Sequence, residues 1–248
     1  MKTLAHKVDD FGGVSIKLDD GALDYEKFTL RLANSIEVWK TSDYKLVWLR
    51  ISLGQSELIP VVARLGFVFH HAENDYVLMV CRLTKEAFIP KYSTHYVGAG
   101  GVVIDDDGML LVVAEQRGRS GRSRSYKLPG GHLDDAEHIQ QGVIREVFEE
   151  TGVTTKFLSL VCFRHQHNYR YGKSDIYFVC RLRPITHDIN KQDDEIAECL
   201  WMPIEKYLTS DSVGEFNKVV VRASIHNEGL TPRSIKDYKD PEFVEILL

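Results

Sequence analysis

Residues Gly131–Val153 read GHLDDAEHIQQGVIREVFEETGV, and the order of charges within this stretch decides the fold. From about Glu137 to Thr151 the sequence predicts a helix, closed by Gly152 as a left-handed C-cap. On that helix Glu146, Glu149 and Glu150 fall at i, i+3 and i+4, so three carboxylates share one face. Ile139, Val143, Val147 and part of Phe148 supply an apolar stripe for packing on a sheet. Like charges at this spacing repel by about a few tenths of a kcal/mol per pair in solvent, and by more when partly buried. Arg145 offsets part of this by pairing with Glu149 at i,i+4, and Glu137 lies two turns before Arg145. The remaining acids have the character of a hard-cation site: carboxylate oxygens without histidine or thiolate suit Mg²⁺ or Mn²⁺ rather than Zn²⁺. Just before the helix, Pro129–Gly130–Gly131 makes a tight turn in which glycine permits unusual φ and close approach of a ligand. The Gly130 carbonyl is well placed there as a further oxygen ligand.

Such a site suits attack on a diphosphate. A divalent ion neutralises and orients phosphoryl oxygens and acidifies a bound water, and a neighbouring carboxylate takes the water's proton. Neither a Ser-His-Asp nor a Cys-His set is evident in the sequence, and the chemistry requires no covalent nucleophile.

The same residues carry a family resemblance. Gly131, Glu137, Arg145, Glu146, Val147, Glu149, Glu150, Gly152 and Val153 match every specified position of the Nudix signature, G-x5-E-x7-R-E-U-x-E-E-x-G-U with U aliphatic. At ordinary residue frequencies the chance of this at a given start is on the order of one in 10⁹. The resemblance implies an α/β fold, the Nudix α/β/α sandwich with a mixed sheet. It implies that Glu146, Glu149 and Glu150 bind the metals, with Glu146 or Glu149 as the base. Glu137 and Arg145 would brace loop and helix, and the Gly130 carbonyl would complete the coordination. FGGV (11–14), VWLRI (47–51), GFVFHHAENDYVLM (66–79), FRHQH (163–167), SDIYFVCRL (174–182) and WMP (201–203) extend it. They look like the subgroup containing the animal fibroblast-growth-factor-antisense Nudix protein and the plant cytosolic ADP-ribose/NADH pyrophosphatases. In that subgroup the first domain resembles an acetyltransferase-like α+β fold. ADP-ribose and NADH are the leading substrates through this resemblance alone. The S-Q-P-W-P-F-P-x-S motif of some NADH enzymes is missing, and so is the proline about 15 residues past the box in some ADP-ribose enzymes, so substrate identity stays open.

Outward from the box, 248 residues are ample for two domains. The polar stretch TKEAFIPKYSTH (84–95), with Pro90, marks a boundary. The expected organisation is an N-terminal α+β domain over 1–93, a Nudix domain over 94–230 and a C-terminal tail over 231–248. In the first domain, Phe28, Leu32, Ile36 and Trp39 have helical spacing within 24–41. Strands are expected at 44–52, 67–71 and 76–83, with a short helix between the first two that Ser56 caps and Gly66 stops. In the second, VGAGGVVI, MLLVVAEQ, LSLVCFRHQH, SDIYFVCRLRP and 195–202 read as strands, and 211–228 as helical. The first domain is expected to form or support a homodimer.

Further candidates lie outside the box. Glu195, with Asp194 competing, is a candidate distal metal ligand or base. Glu115, at a strand end, is a candidate substrate contact, as are Arg164, His165 and His167; the two histidines alternate along a strand and share a face. His70 and His71 read as packing or interface residues. The loop RGRSGRSRS (117–125) carries Arg117, Arg119, Arg122 and Arg124, and reads first as solvated. It also motivates an alternative substrate, capped RNA, whose cleavage would fall steeply with salt. A second alternative is a nucleotide-sensing module without turnover. The net charge of −5 argues against a chain built around non-specific nucleic-acid binding. Four cysteines without C-x-x-C spacing read as free thiols in a reducing compartment. The first residues lack an apolar h-region and no run has the roughly 18 apolar residues of a membrane span. A soluble protein of the cytoplasm or nucleus is expected.

Overall fold

The computed structural model describes residues 2–18, 24–116 and 125–248. Arg117, Arg119, Arg122 and Arg124 of the basic loop therefore lie outside the described residues. The chain divides into two compact units, Met1–Ser93 and Thr94–Leu248.

The first unit contains β1 (Lys7–Val8), β2 (Gly13–Ile16), α1 (Tyr25–Thr41), β3 (Leu46–Ser52), α2 (Leu58–Arg64), β4 (Val68–Ala72) and β5 (Tyr76–Arg82). Asp24 caps α1 by accepting from the Lys27 amide at 3.0 Å. The helix carries the chain between β2 and β3, which pair in parallel. The sheet order is β1-β2-β3-β5-β4. Phe28, Leu32, Ile36 and Trp39, the periodic residues of α1, are all buried against Val47, Leu49 and Ile51 of β3, each large side chain contributing about 1.5–3 kcal/mol. The short helix begins one residue later than its expected cap: Glu57 takes the cap position, and Ser56 ends a single 3₁₀ turn before it.

His70 and His71 lock the edge of this unit. His70 Nε2 donates to the Pro90 carbonyl at 2.6 Å, and the two Nδ1 atoms lie 2.7 Å apart. With both rings neutral, His71 Nδ1 donates to His70, and His71 Nε2 is left to accept from Tyr76 O–H at 3.3 Å. The His71 ring also stacks on Tyr92, 4.0 Å between centroids, whose hydroxyl bonds Glu73; Arg50, paired with Asp75, covers Tyr76. Burial, then the neighbouring His70, lower the His71 pKa from its ordinary value. A lowered value means that the fold favours the neutral ring. That stability is present above the unfolded histidine pKa of about 6.5 and is lost as pH falls through the lower folded value. Thermal unfolding of the intact chain across this range is expected to show the midpoint dropping with acidification, and His71→Gln should flatten the drop.

The second unit is an α/β/α sandwich. Its elements are β6 (His95–Val103), β7 (Met109–Glu115), β8 (Gly130–His132), α3 (Ile139–Thr151), β9 (Thr155–Gln166), β10 (Ser174–Pro184), β11 (Ile196–Pro203), α4 (Ile204–Thr209) and α5 (Glu215–His226). The mixed sheet runs β8-β6-β10-β9, with β10 parallel to β6 and the other pairs antiparallel. A two-stranded ladder, β11-β7, accompanies it. Strand alternation sorts the core into two layers. Ala99, Val103, Leu111, Cys180 and Leu182 pack against Val143 and Val147 of α3. Val102, Leu110, Val112 and Val179 pack against Tyr207 of α4 and Val220 and Val221 of α5.

Three details depart from the sequence reading. The helix of the box starts at Ile139, with His138 as N-cap, so Glu137 stands in the preceding loop. Phe148 is 52% exposed and takes little part in the apolar stripe. Residues 211–228 hold a shorter helix, α5, begun at Glu215 after Gly214. The stretch 231–248 folds back onto this unit: Leu230 bridges to Leu160 and Pro232 to Leu247. From it the Glu245 carboxylate accepts from the Ile139 and Gln140 amides at 2.9 and 3.1 Å. A negative group thus satisfies orphan donors at the positive end of α3.

Candidate active site

The box is built around Arg145. Its Nε and Nη2 grip the two oxygens of Glu137, both at 2.8 Å, and Nη2 also donates to the His132 carbonyl at 3.1 Å. Nη1 reaches Glu146 at 3.0 Å and Glu149 at 3.1 Å. One guanidinium therefore ties the loop carrying Glu137, the strand end at His132 and two acids of α3 into one body. Its hydrogen bond to Glu137 raises Arg145 further above the ordinary arginine range and holds Glu137 below the usual carboxylate range. Gly142 makes the close fit possible: a Cβ there would lie 2.2 Å from Leu133 Cδ2 and 2.8 Å from Glu137 Oε2.

The three acids of the helix occupy different environments. Glu149 is exposed. Glu146 is half-buried over Gly131, where an added Cβ would meet its carboxylate at 2.4 Å; burial raises its pKa against the pull of Arg145. Glu150 turns inward and is buried. It accepts from the Gly130 amide at 2.9 Å and lies 3.4 Å from Lys127 Nζ. Burial raises its pKa, with Lys127 and the Gly130 amide opposing. Lys127 also pairs with Glu115 at 2.8 Å. Burial alone would lower its pKa, but Glu150 and Glu115 outweigh that and hold it above the ordinary lysine range. Lys127 escaped the sequence reading; its signal is a cation between Tyr126 and Leu128, two residues before Pro129.

Glu115, Glu150 and Glu195 line one cavity of about 560 Å³, together with Asp194 and Arg170. Backbone bonds hold its walls: the Gln116 amide donates to the Glu195 carbonyl at 2.8 Å, and the Gln192 amide to the Glu150 carbonyl at 3.3 Å. Arg164, His165 and His167 are not among the residues lining it. His165 and His167 share a face, 4.5 Å between rings, with His165 Nε2 2.9 Å from His95 Nε2. Arg164 points to the other face, as alternation requires. There it pairs at 2.6 Å with the buried Asp175 and lies near Tyr177 and Phe216. The candidate substrate contacts on β9 thus divide between two faces of the sheet.

Among the described residues no three His, Cys, Asp or Glu side chains stand as a closed metal-binding set. Arg145 sits against Glu146 and Glu149, and Lys127 against Glu150, so each acid is directed to a cation of the chain itself. The donor chemistry nevertheless fits a hard divalent ion: carboxylates of Glu146 and Glu150 beside Gly130–Gly131 and of Glu149, which shares Arg145 Nη1 with Glu146, with no imidazole or thiolate among them. The cysteines offer no rival nucleophile. All four are free, and burial keeps Cys180 and Cys199 protonated, Cys199 being pushed up to about 12.

A mixed-sheet α/β/α sandwich, with an arginine-braced acidic helix following a Gly-Gly turn, defines the Nudix class of fold. Comparison with known proteins agrees. Residues 4–83 match the family described as Nudix hydrolase domain, and residues 94–223 that described as NUDIX domain. Nudix hydrolase 8 of Arabidopsis thaliana is 35% identical over 238 residues, covering 92% of this chain and 64% of that protein. Nudix hydrolase 2 of the same plant is 35% identical over 232 residues, covering 90% of this chain and 83% of that protein. The human Nucleoside diphosphate-linked moiety X motif 6 is 33% identical over 230 residues, covering 90% and 72%. The chain thus spans about two thirds to four fifths of these relatives. It belongs to the Nudix hydrolases, a family of pyrophosphatases acting on nucleoside diphosphate derivatives.

Proposed function

We propose that this chain hydrolyses the diphosphate bond of a nucleoside diphosphate linked to a second moiety, with ADP-ribose or NADH as substrate. The observation that carries the reading is the Arg145 brace: one cation holds Glu137, Glu146 and Glu149 within 3.1 Å, beside the buried Glu150. An Mg²⁺ or Mn²⁺ ion on Glu146, Glu149 and Glu150, with the Gly130 carbonyl, would neutralise phosphoryl oxygens and acidify a water. The chain's own groups do the rest. Glu149, exposed at the rim, or Glu146 beside it accepts the water's proton. Arg145 keeps both acids aimed. Glu115 and Glu195, on the cavity wall, are the second pair of carboxylates available to metal or substrate. The naming of ADP-ribose and NADH together rests on similarity to the plant Nudix hydrolases alone. Four free thiols favour a reducing, cytoplasmic setting, and no helix among the described residues is long and apolar enough to cross a membrane.

A panel of ADP-ribose, NADH, other nucleoside diphosphate derivatives and capped RNA, with Mg²⁺ or Mn²⁺ and products read by mass, tests the proposal. AMP released from ADP-ribose or NADH is the expected result. Turnover of capped RNA alone would replace the substrate, and binding without turnover of any member would replace the activity. Arg145→Ala should slow the reaction about ten- to a hundredfold, on the scale of lost outer-shell support of a metal site. It should do so chiefly in kcat, since the acids remain but lose their aim.

A further inference from the structure

Two cavities of the second unit meet at one side chain. The first holds Glu115, Glu150, Asp194 and Glu195. The second, about 710 Å³, lies along the N-terminal end of β6 and the loop before α3, and is lined by Tyr96, His132, Tyr171 and Glu137 among others. Arg170 lines both, and it is the only lysine or arginine that does so in either among the described residues.

Three observations bear on what Arg170 does. The walls are acidic, with four carboxylates in the first cavity and Asp134, Asp135 and Glu137 in the second. A diphosphate entering them meets repulsion that a cation at the junction would offset; the Arg170 guanidinium lies there 5.1 Å from the Tyr169 ring. The turn that presents Arg170, between β9 and β10, is tightly built. Asn168, Tyr171 and Gly172 all have left-handed φ, at 53°, 48° and 70°. The Tyr169 amide donates to the Lys173 carbonyl at 3.0 Å, and the Lys173 amide to the Arg170 carbonyl at 2.8 Å. Non-glycine residues held in this region are costly, and such positions concentrate at ligand clamps. Finally, Tyr96, His132 and Tyr169 form a cluster of rings with centroids 5.9 to 6.3 Å apart, an aromatic surface of the kind on which bases stack.

We propose that Arg170 binds the substrate's diphosphate at the junction of the two cavities, while the substrate's aromatic base seats against Tyr96 and His132 in the second. Arg170 is then the residue that selects a nucleotide diphosphate over a simple phosphate ester. This deepens the activity proposed above and rests on it.

The test is steady-state kinetics with ADP-ribose and Mg²⁺, paired with calorimetric binding of ADP-ribose. Arg170→Ala should raise KM and the dissociation constant about ten- to a hundredfold, the worth of a charge-assisted hydrogen bond. The turnover number should stay within about threefold, the melting temperature should be unchanged, and Arg170→Lys should recover part of the loss. Tyr96→Leu should raise KM in the same direction. An unchanged KM in Arg170→Ala, with the parent active, overturns the assignment and leaves the pyrophosphatase reading intact. If the parent binds ADP-ribose without turnover, the pyrophosphatase reading fails and the calorimetric arm alone decides for Arg170. If it neither binds nor turns over ADP-ribose, both fall.

Discussion

Glu149→Gln is expected to lower kcat by about 10²- to 10⁴-fold, the range over which positioned acid–base groups act, while leaving the melting temperature within about a degree. Both halves follow from its surroundings. Glu149 is exposed and among the described residues its ion pair is the 3.1 Å contact with Arg145 Nη1, so a neutral amide oxygen of the same shape still accepts that hydrogen bond. An exposed pair of this kind contributes about 0–1 kcal/mol to stability, too little to threaten the fold. What the amide cannot supply is the anionic oxygen that a hard cation demands and that a water proton needs. Glu150→Gln is the informative contrast. That side chain is buried with one oxygen on the Gly130 amide and the other toward Lys127, so the NH2 of glutamine must face one of two donors and the half-buried ammonium keeps Glu115 as its charged partner; stability falls together with rate. Circular dichroism melts beside initial rates separate the two outcomes. A Glu149→Gln enzyme running near the parental rate would show that the acidic face of α3 does not hold the ion.

The box was legible because its logic is local. Glu146, Glu149 and Glu150 lie within about a turn of helix, Arg145 reaches back eight residues to Glu137, and glycine stands where backbone must approach backbone. Strand alternation is local too: Val102 and Val103, like Val179 and Cys180, go to opposite layers of the core. The misreadings came where local pattern met distant partners. Glu137 looks like the first residue of a helix, yet its carboxylate is held by Arg145 and by the Asp134 amide, and the helix waits for His138. The first two amides of that helix are satisfied by Glu245, more than 100 residues away, in a stretch with no local signal of docking. Arg164 reads in the sequence as a candidate substrate contact; the pairing of β9 with β10 sets it beside Asp175, and no periodicity in either strand alone reveals that ion pair.

Gly130→Ala is expected to be the most destabilising single substitution in the site, at about 4 kcal/mol or more, in the exceptional tail of point-mutant effects. Gly130 has φ +148°, a conformation that L side chains rarely adopt. A Cβ there would stand 2.3 Å from the Ala99 carbonyl oxygen and 2.5 Å from Gly100 Cα. Both are backbone atoms of β6, a strand flanked by β8 and β10, so neither can swing aside as a side chain would. The only relief is for β8 to leave β6, breaking the Gly100–Gly130 and Ala99–Gly131 pairings. That release would also withdraw the Gly130 amide from Glu150 and the His132 carbonyl from Arg145, so the damage reaches the acids as well as the sheet. Gly54→Ala provides the control, since a Cβ there meets nothing within 4 Å, and its effect should lie within about 0.5 kcal/mol. Urea unfolding of the three proteins distinguishes the cases. A Gly130→Ala midpoint close to the parent would mean that β8 yields without cost, and the close approach of the Gly-Gly turn to the sheet would then have to be explained by something other than the absence of a side chain.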